Sequence, residues 1–259
     1  LRSTHRNGES ISNPKNHILD IAGVSAVAHE NGVPLIVDNT VATPYLIRPL
    51  ELGADIVVHS ATKYLGGHGT AIAGAIVDGG KFDWAANPEK FPQYNNPDPS
   101  YHGLVYAEAL GAIAYIIKAR VQLLRDLGPA ASPFNAFLIA QGIETLSLRL
   151  ERHVQNTQAV AEWLEARDEV ESVNYAGLPS SPWYARGKEI APRGTGAVLS
   201  FEIKGGIEAG KKFVDALELH SHVANIGDVR SLVIHPASTT HSQLTDEERL
   251  SAGVTPGLV

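Results

Sequence analysis

The 259-residue sequence contains no cysteine and no methionine. The absence of cysteine excludes disulfide bonds and thiolate metal sites, although it does not by itself identify a compartment. Because the first residue is Leu1 and methionine is absent, we expect a piece of a longer chain, or its ordered part only. No apolar run approaches the roughly 20 residues that a membrane helix needs, and no basic-then-apolar leader opens the sequence. We therefore expect a cytoplasmic protein with no membrane partner.

Positive charge is also scarce, since 21 lysines and arginines stand against 28 acidic residues and the formal net charge is -7. A nucleic-acid partner would need a basic face, so we expect none. With 44% hydrophobic and 19% charged residues, the composition is that of an ordinary globular protein. The length allows one or two domains with a sizeable core.

Short apolar runs alternate with helix-length segments in the first part of the sequence. Apolar periodicity from about residue 19 to 31 predicts a helix that ends at Gly32. Residues 1–10 are polar and irregular and predict no regular element. Strands separated by helix-length connections favour an α/β fold with a mostly parallel sheet. The runs that predict strands are residues 34–38, 54–60 and 71–77.

The second half has a different texture. Residues 81–103, rich in Pro, Asn, Asp and aromatic residues, predict a long loop. Apolar periodicity predicts a helix over 106–127 and, after Pro133, a helix or helix pair up to about residue 167. The pattern then predicts half-exposed strands at 170–175 and 196–203 and an amphipathic helix over 207–219. We therefore predict a large domain over residues 1–150 and a smaller α+β domain over 151–259.

Two polar segments lie at the carboxyl ends of predicted strands, where open α/β sheets bind ligands. Asp38 ends one run, and Ser60, Thr62 and Lys63 end the next. A lysine at the end of a buried strand is partly desolvated, which favours its neutral, nucleophilic form. Neighbouring hydroxyls suit a phosphate anchor, and a carboxylate opposite would keep a pyridine nitrogen protonated. The pairing indicates a pyridoxal phosphate (PLP) site.

The residues alone leave blander interpretations open. Asp38 after a strand is more often a cap or turn residue, and a lysine beside glycines is usually a solvated surface residue. A metal site of His59, His68, His102 and Asp38 is a further alternative, but the ligand spacing is not that of a metal motif. The glycines after Lys63 are not a P-loop, because the lysine precedes them. They indicate instead a close approach of backbone to the lysine and its ligand.

Four motifs in order resemble the cystathionine γ-synthase family of PLP-dependent enzymes of Cys/Met metabolism. The resemblance covers essentially the whole chain. It implies the PLP-dependent transferase fold type I, an α/β fold with a mostly parallel sheet in the large domain and a smaller α+β C-terminal domain. It also implies a homo-oligomer, a dimer of dimers whose subunits complete each other's sites. The motifs are Glu9-Ser10 with Asn13-Pro14, Val37-Asp38-Asn39-Thr40, Ser60 to His68, and His235 to His241.

The resemblance implies a role for each matching residue at the cofactor. Lys63 would hold pyridoxal 5'-phosphate as a Schiff base and, once freed, would move protons of the substrate. Asp38 would contact the pyridine nitrogen. Ser60 and Thr62 would bind the phosphate.

The remaining implied roles concern the substrate side. Asn13 would lie near the ring hydroxyl and the substrate carboxylate, Glu9 would support Asn13, and Asn225 would use its backbone in the carboxylate pocket. The family's ring-stacking tyrosine and glycine-rich phosphate turn would precede this sequence, and its carboxylate-binding arginine would come after Val259. Because residues 1–7 lack the apolar strand of the family, we expect them to be discontinuous with the rest of the sequence.

The loop at residues 91–104 and the segment around Asn225 resemble the O-acetylhomoserine sulfhydrylases of this family more than its lyases. The implied reaction converts O-acetyl-L-homoserine and sulfide to L-homocysteine and acetate in methionine biosynthesis. A γ- or β-lyase acting on methionine or cystathionine is the alternative within PLP chemistry. A non-catalytic relative with a role in assembly is the alternative outside it.

Overall fold

A computed structural model describes residues 6–259 of the chain. Its main sheet has four strands in the order β1-β2-β3-β4. The first three run parallel, and β4 is antiparallel to β3. The predicted α/β fold with a mostly parallel sheet is therefore confirmed. The strands are β1 (Arg6–Glu9), β2 (Leu35–Asp38), β3 (Ile56–Ser60) and β4 (Gly74–Asp78).

The first strand corrects a prediction. Residues 1–10 predicted no regular element, yet Arg6–Glu9 pairs in register with the whole of β2. No apolar alternation marks these four residues, because the strand forms through backbone hydrogen bonds to a neighbouring buried strand. The predicted discontinuity of residues 1–7 falls mostly on residues 1–5, which lie outside the described residues.

The first connections agree with the predicted pattern. Helix α1 (Ile21–Glu30) links β1 to β2 and begins at Asp20, whose side chain accepts a hydrogen bond from the Gly23 N–H. It ends before Gly32, whose φ of +58° is the left-handed conformation in which glycine commonly stops a helix. Helix α2 (Thr43–Leu46) and a 3₁₀ turn (Pro49–Leu52) then lead to β3.

The structure differs from the prediction in two segments. The predicted loop contains short helical turns, and the predicted helix after it is divided into several pieces. The loop contains α3 (Pro92–Asn95) and a 3₁₀ turn (Pro99–Tyr101). Gly111, with a φ of +49°, ends the first piece of the predicted 106–127 helix. The apolar periodicity there is real, but it spans several helical pieces. They are α4 (Tyr106–Leu110), a 3₁₀ turn (Gly111–Ile113), α5 (Ala114–Lys118), a π-helical turn (Ala119–Leu124) and α6 (Arg125–Leu127).

In chain order, a helix pair lies between the main sheet and the C-terminal elements. It consists of α7 (Pro133–Glu144) and α8 (Leu146–Glu165), as the sequence predicts. The predicted domain boundary near residue 150 falls inside α8 and stays a prediction. The later elements are β5 (Val170–Asn174), α9 (Tyr184–Ile190), β6 (Ser200–Ile203, antiparallel to β5), α10 (Gly206–Asp215), β7 (Ser221–His222), β8 (Leu232–Val233) and α11 (Asp246–Ser251).

The main core packs the sheet against its helices and reaches into the C-terminal part, where Ala176 and Ala191 join it. A buried asparagine strengthens this link, since Asn16 accepts the Ala176 N–H (2.7 Å) and donates to the Val198 carbonyl (3.0 Å). Within residues 6–259, no helix combines the length and the apolar character needed to cross a membrane.

Candidate active site

The carboxyl ends of β2 and β3 bring polar side chains to one face of the sheet. Asp38 is paired with Val58 across the two strands. Because alternate residues of a strand share a face, the side chains of Asp38 and Ser60 project from the same face. Glu9, paired with Asp38 from β1, lies on this face too. The intervening His59 points to the opposite face and is buried.

A hydroxyl ties the two strand ends together. Oδ1 of Asp38 accepts a hydrogen bond from the Thr40 N–H (2.9 Å), and Oγ1 of Thr40 accepts one from the Ser60 N–H (2.8 Å). The carboxylate is half-buried. Its position relative to Ser60 is therefore fixed by backbone contacts on both strands.

Lys63 lies in a tight turn, residues 61–67, which we call the lysine turn. The Gly66 N–H donates to the Ala61 carbonyl (2.9 Å), and the Gly67 N–H donates to the Lys63 carbonyl (2.8 Å). The side chain of Lys63 is half-buried, and its Nζ donates to Oδ1 of Asn225 (2.5 Å). A side chain 162 positions away along the chain thus holds the amine.

Residues 225–230, which we call the 225–230 segment, pack directly on the lysine turn. Gly227 has a φ of +77°, and a Cβ at this position would lie 2.7 Å from the carbonyl carbon of Lys63 and 3.0 Å from its Cα. The Val229 N–H donates to the Gly67 carbonyl (2.8 Å). Buried Asp228 pairs with Arg230 (2.7 Å), whose hydrogen bonds hold the pKa of Asp228 below its usual range. Only glycine at position 227 permits this approach.

The other predicted site residues make contacts of their own. Oγ1 of Thr62 donates to the Ala73 carbonyl (3.3 Å) and accepts from the Ala73 N–H (3.2 Å), so this hydroxyl is bonded to the backbone of Ala73. Oε2 of Glu9 accepts the Asn13 N–H (3.1 Å), and both side chains are exposed. The roles inferred for Thr62, Glu9 and Asn13 stay predictions.

Asn225 makes a side-chain contact that its predicted role does not include. Its backbone N–H donates to the Val223 carbonyl (2.9 Å), whereas its side chain faces Lys63. The role predicted for its backbone in a carboxylate pocket stays a prediction. The side-chain contact with the lysine is a finding that the sequence does not suggest.

The histidines of the metal alternative do not form a cluster. Burial lowers the pKa of His59, an effect that the charge of Asp38 opposes, and its Nδ1 has no hydrogen-bond partner within the described residues. His68 and His102 are exposed. In the part of the chain that the structure describes, no three His, Cys, Asp or Glu side chains come close enough to hold a metal ion.

The structure also reveals a residue that sequence patterns do not mark. Arg149 of α8 donates from Nη1 to the Tyr64 carbonyl (2.9 Å) and from Nη2 to the Leu65 carbonyl (3.3 Å). A Cβ at Gly67 would lie 2.5 Å from the Cζ of Arg149. The glycines of the lysine turn thus admit an arginine side chain as well as the backbone approach that the sequence predicts.

The donor set suits a pyridoxal phosphate molecule. The lysine turn offers a primary amine for its aldehyde carbon, Asp38 offers an anion for its pyridine nitrogen, and Ser60 offers a hydroxyl for its phosphate. The acid and the hydroxyl share a sheet face and a sheet edge, and the amine comes three residues after Ser60. The residues present therefore fit the cofactor.

The sequence of this chain is similar to those of known proteins. The family described as "Cys/Met metabolism PLP-dependent enzyme" matches residues 8–259. The O-acetyl-L-homoserine sulfhydrylase of Leptospira meyeri is 58% identical over 97% of this chain and 58% of its own length. That of Corynebacterium glutamicum is 55% identical over 97% of this chain and 58% of its own. The chain thus spans less than two thirds of these curated relatives.

A solved structure gives the same picture of the fold. A Campylobacter jejuni protein assigned as an O-acetylhomoserine (thiol)-lyase superposes with a TM-score of 0.90 at 40% identity. The match covers 97% of this chain and 60% of that one. That crystal structure contains a pyridoxyl-lysine monophosphate residue. The likeness confirms the predicted fold class.

Proposed function

This chain belongs to the Cys/Met metabolism PLP-dependent enzymes, as its motifs predict, and from that premise we propose that it acts as an O-acetylhomoserine sulfhydrylase. The reaction joins O-acetyl-L-homoserine and sulfide to give L-homocysteine and acetate, a step of methionine biosynthesis. A Cγ–O bond breaks and a Cγ–S bond forms, so no oxidant or reductant is needed. The observation that carries the proposal is the 58% identity to a sulfhydrylase in a chain whose strand ends supply the amine and the acid.

We propose that Lys63 carries the cofactor on Nζ, that Asp38 pairs with the pyridine nitrogen and that Ser60 binds the phosphate. Pyridoxal phosphate, when bound, supplies an electron sink for the pair that stays on the substrate Cα after its proton leaves. Pairing of β2 with β3 supports these roles, because it sets Asp38 and Ser60 side by side on one face.

The remaining predicted roles are part of the same proposal. Thr62 would add a second hydroxyl to the phosphate, for which its hydroxyl hydrogen must leave the Ala73 carbonyl. Asn13 would lie near the ring hydroxyl and the substrate carboxylate. Glu9 would hold Asn13 through the hydrogen bond to its N–H.

Lys63 also moves protons in this proposal. Once free, Nζ would move the proton from the substrate Cα and then take one from Cβ, so that acetate can leave Cγ. After sulfide has added at Cγ, Nζ would return protons to Cβ and Cα. A neutral amine has one lone pair, so an N–H donated to Oδ1 of Asn225 limits where that lone pair points. General acid–base catalysis by a positioned group contributes about 10²–10⁴-fold in rate. Loss of Lys63 removes both the attachment point and the base.

Mass spectrometry of the borohydride-reduced holoenzyme tests the site assignment. We expect phosphopyridoxyl on the peptide that contains Lys63. Lys63→Ala should have almost no turnover, whereas Lys81→Ala, which changes an exposed lysine, should keep it. Label on any other lysine would contradict the assignment.

Product analysis with and without sulfide tests the reaction. A sulfhydrylase makes homocysteine and acetate from O-acetyl-L-homoserine only when sulfide is present. A γ-lyase would instead make 2-oxobutyrate and ammonia from O-acetyl-L-homoserine with or without sulfide. A β-lyase would make pyruvate and ammonia from cystathionine. A protein with a role in assembly alone would be colourless and would trap no lysine.

We also propose a homo-oligomer, a dimer of dimers, that acts in the cytoplasm. Large apolar side chains stand exposed on β4 and α7, among them Ile76 (49%), Phe134 (68%) and Phe137 (55%). Surfaces of this kind commonly mark contacts between subunits. Light scattering of the holoenzyme should give the mass of a tetramer, and a monomer would contradict the proposal. Cell fractionation tests the location.

A further inference from the structure

We propose that Arg149 is a positioning residue for Lys63, acting through the carbonyl groups of the lysine turn. The inference rests on the proposed role of Lys63. Arg149 lies on α8, 85 positions after Tyr64 of the turn. Its guanidinium donates hydrogen bonds to backbone carbonyls of the turn and makes none to the lysine amine or to Asp38.

The guanidinium makes four contacts, three of them with carbonyl oxygens. Nη1 donates to the Tyr64 carbonyl (2.9 Å), and Nη2 donates to the carbonyls of Leu65 (3.3 Å) and Gly142 (2.6 Å). Nε donates to Oγ1 of Thr145 (3.2 Å). A planar fork of fixed donors suits such a set of acceptors, and lysine cannot reproduce it. The turn and the end of α7 are thereby joined through one side chain.

The positive charge of Arg149 has only neutral partners. Within residues 6–259 as described, no ion pair involves it. Burial removes part of the hydration of its ionised form and thereby lowers its pKa. Its hydrogen bonds to neutral acceptors offset the hydration that burial removes. The arrangement therefore holds carbonyl groups in place and does not neutralise a charge.

Two glycines make room for this contact. A Cβ at Gly142 would lie 2.7 Å from the Leu65 carbonyl oxygen, and a Cβ at Gly67 would lie 2.5 Å from the guanidinium carbon. An added methyl group at either glycine would therefore overlap the atoms that pack there. The packing joins the end of α7, the lysine turn and Arg149. The turn also carries the Gly67 N–H bond to the Lys63 carbonyl, so its shape sets the direction in which the lysine side chain leaves the backbone.

A purely structural interpretation makes Arg149 a cap for α7, because Gly142 lies in the last turn of that helix. A cap would affect the stability of the fold without changing the turnover of folded protein. Positioning would change the lysine turn and the turnover number. A misplacement of about 1 Å can lower a rate about 10²-fold. The four hydrogen bonds of Arg149 described above all go to groups of this chain.

The test compares Arg149→Ala, Arg149→Lys and Arg152→Ala in the full holoenzyme and its apoprotein. Arg152 is an exposed arginine of the same helix and serves as the matched control. In the apoprotein, we expect the amide hydrogens of Gly66 and Gly67 to exchange at least about 10-fold faster in Arg149→Ala, because their acceptors belong to the released turn. Arg149→Lys should be intermediate, and Arg152→Ala should match the wild type.

In the holoenzyme, we expect kcat to fall about 10- to 100-fold in Arg149→Ala, with KM for the substrate within about two-fold. Partial rescue in Arg149→Lys and a changed visible circular dichroism of the bound cofactor should accompany the loss. If Arg149→Ala does not fold, Arg149→Lys decides by the same readouts. Unchanged exchange at Gly66 and Gly67, or unchanged kcat per folded enzyme, would overturn the inference. Phosphopyridoxyl on a lysine other than Lys63 would instead overturn the proposed function and leave the exchange result standing.

Discussion

Replacement of Gly227 by alanine tests whether the 225–230 segment holds Lys63 in place. Its φ is +77°, and the added Cβ would lie 2.7 Å from the Lys63 carbonyl carbon. A left-handed conformation costs a non-glycine residue about 1–2 kcal/mol. Overlap with packed atoms that must shift adds about 1–3 kcal/mol. We therefore expect Gly227→Ala to lower the free energy of unfolding by about 2–5 kcal/mol.

Gly128 provides a control with the same backbone conformation. Its φ is also +77°, but a Cβ there would meet no atom within 4 Å. Gly128→Ala should therefore lose only the conformational part, about 1–2 kcal/mol. Urea denaturation of both apoproteins measures the difference, which isolates the contact with the lysine backbone. Gly227→Ala should also lower kcat about 10²-fold by moving Lys63, and Gly128→Ala should not.

Equal losses of stability in the two variants would refute the reasoning. They would mean that the 225–230 segment does not lie against Lys63. A large stability loss at Gly227 with normal turnover would also be informative, since it would separate the packing of this segment from the position of the amine.

Three further substitutions test other parts of the site and fold. Asp38→Asn should weaken cofactor binding and lower kcat about 10²-fold, because a charge-assisted hydrogen bond of about 1.5–3 kcal/mol is lost. Absorbance titration of the apoprotein with the cofactor measures the binding, and an unchanged affinity would contradict the prediction. Asn225→Ala keeps the backbone but removes the hydrogen bond to Nζ of Lys63. We expect kcat to fall up to about 10-fold while KM stays within about two-fold of the wild-type value. A raised KM alone would indicate a role in substrate binding instead. Asp98 is buried and bonded to Ser100 and Lys118, and these hydrogen bonds lower its pKa to about 2. Because the folded pKa lies below the unfolded value of about 3.9, its stabilisation is complete above that value and is lost as the pH falls through about 2. In denaturation experiments, the free energy of unfolding of Asp98→Asn should thus be lower than that of wild type by about 1–3 kcal/mol at pH 7 and equal to it near pH 2. A difference that persists at low pH would contradict the role of the charge.

The sequence predicts well those parts of the fold that rest on local pattern. Strands β2 and β3 are apolar runs whose side chains mostly belong to the main core or pack against it, and Gly32 follows the end of α1 as predicted. The same rules miss β1, whose residues are polar and whose strand depends on pairing with β2. They also miss the interruptions after Tyr106, since apolar periodicity continues across Gly111 while the backbone does not.

The site divides in a similar way. Asp38 and Ser60 could be placed together because parallel strands end at one edge of a sheet. The contact of Arg149 with Tyr64 joins positions 85 apart in the chain, and no spacing rule reports it. The side chain of Asn225 contacts Lys63, and Gly227, two residues later, packs against the Lys63 backbone in a left-handed conformation. This closeness is a property of the folded backbone, so the sequence pattern does not predict it.

The lysine is therefore held by parts of the chain that lie on both sides of the predicted domain boundary. Arg149 and Gly142 come from the helix pair, and Asn225 and Gly227 come from the C-terminal part. Hydrogen bonds along β2 and β3 align Asp38 and Ser60, and the hydroxyl of Thr40, which follows β2 directly, joins the two strand ends. A turn has no neighbouring strand to hold it, so its position depends on side chains and glycines supplied from elsewhere. In this chain the positions of Asp38 and Ser60 are set by the sheet, whereas the direction of the Lys63 amine is set by the tertiary packing.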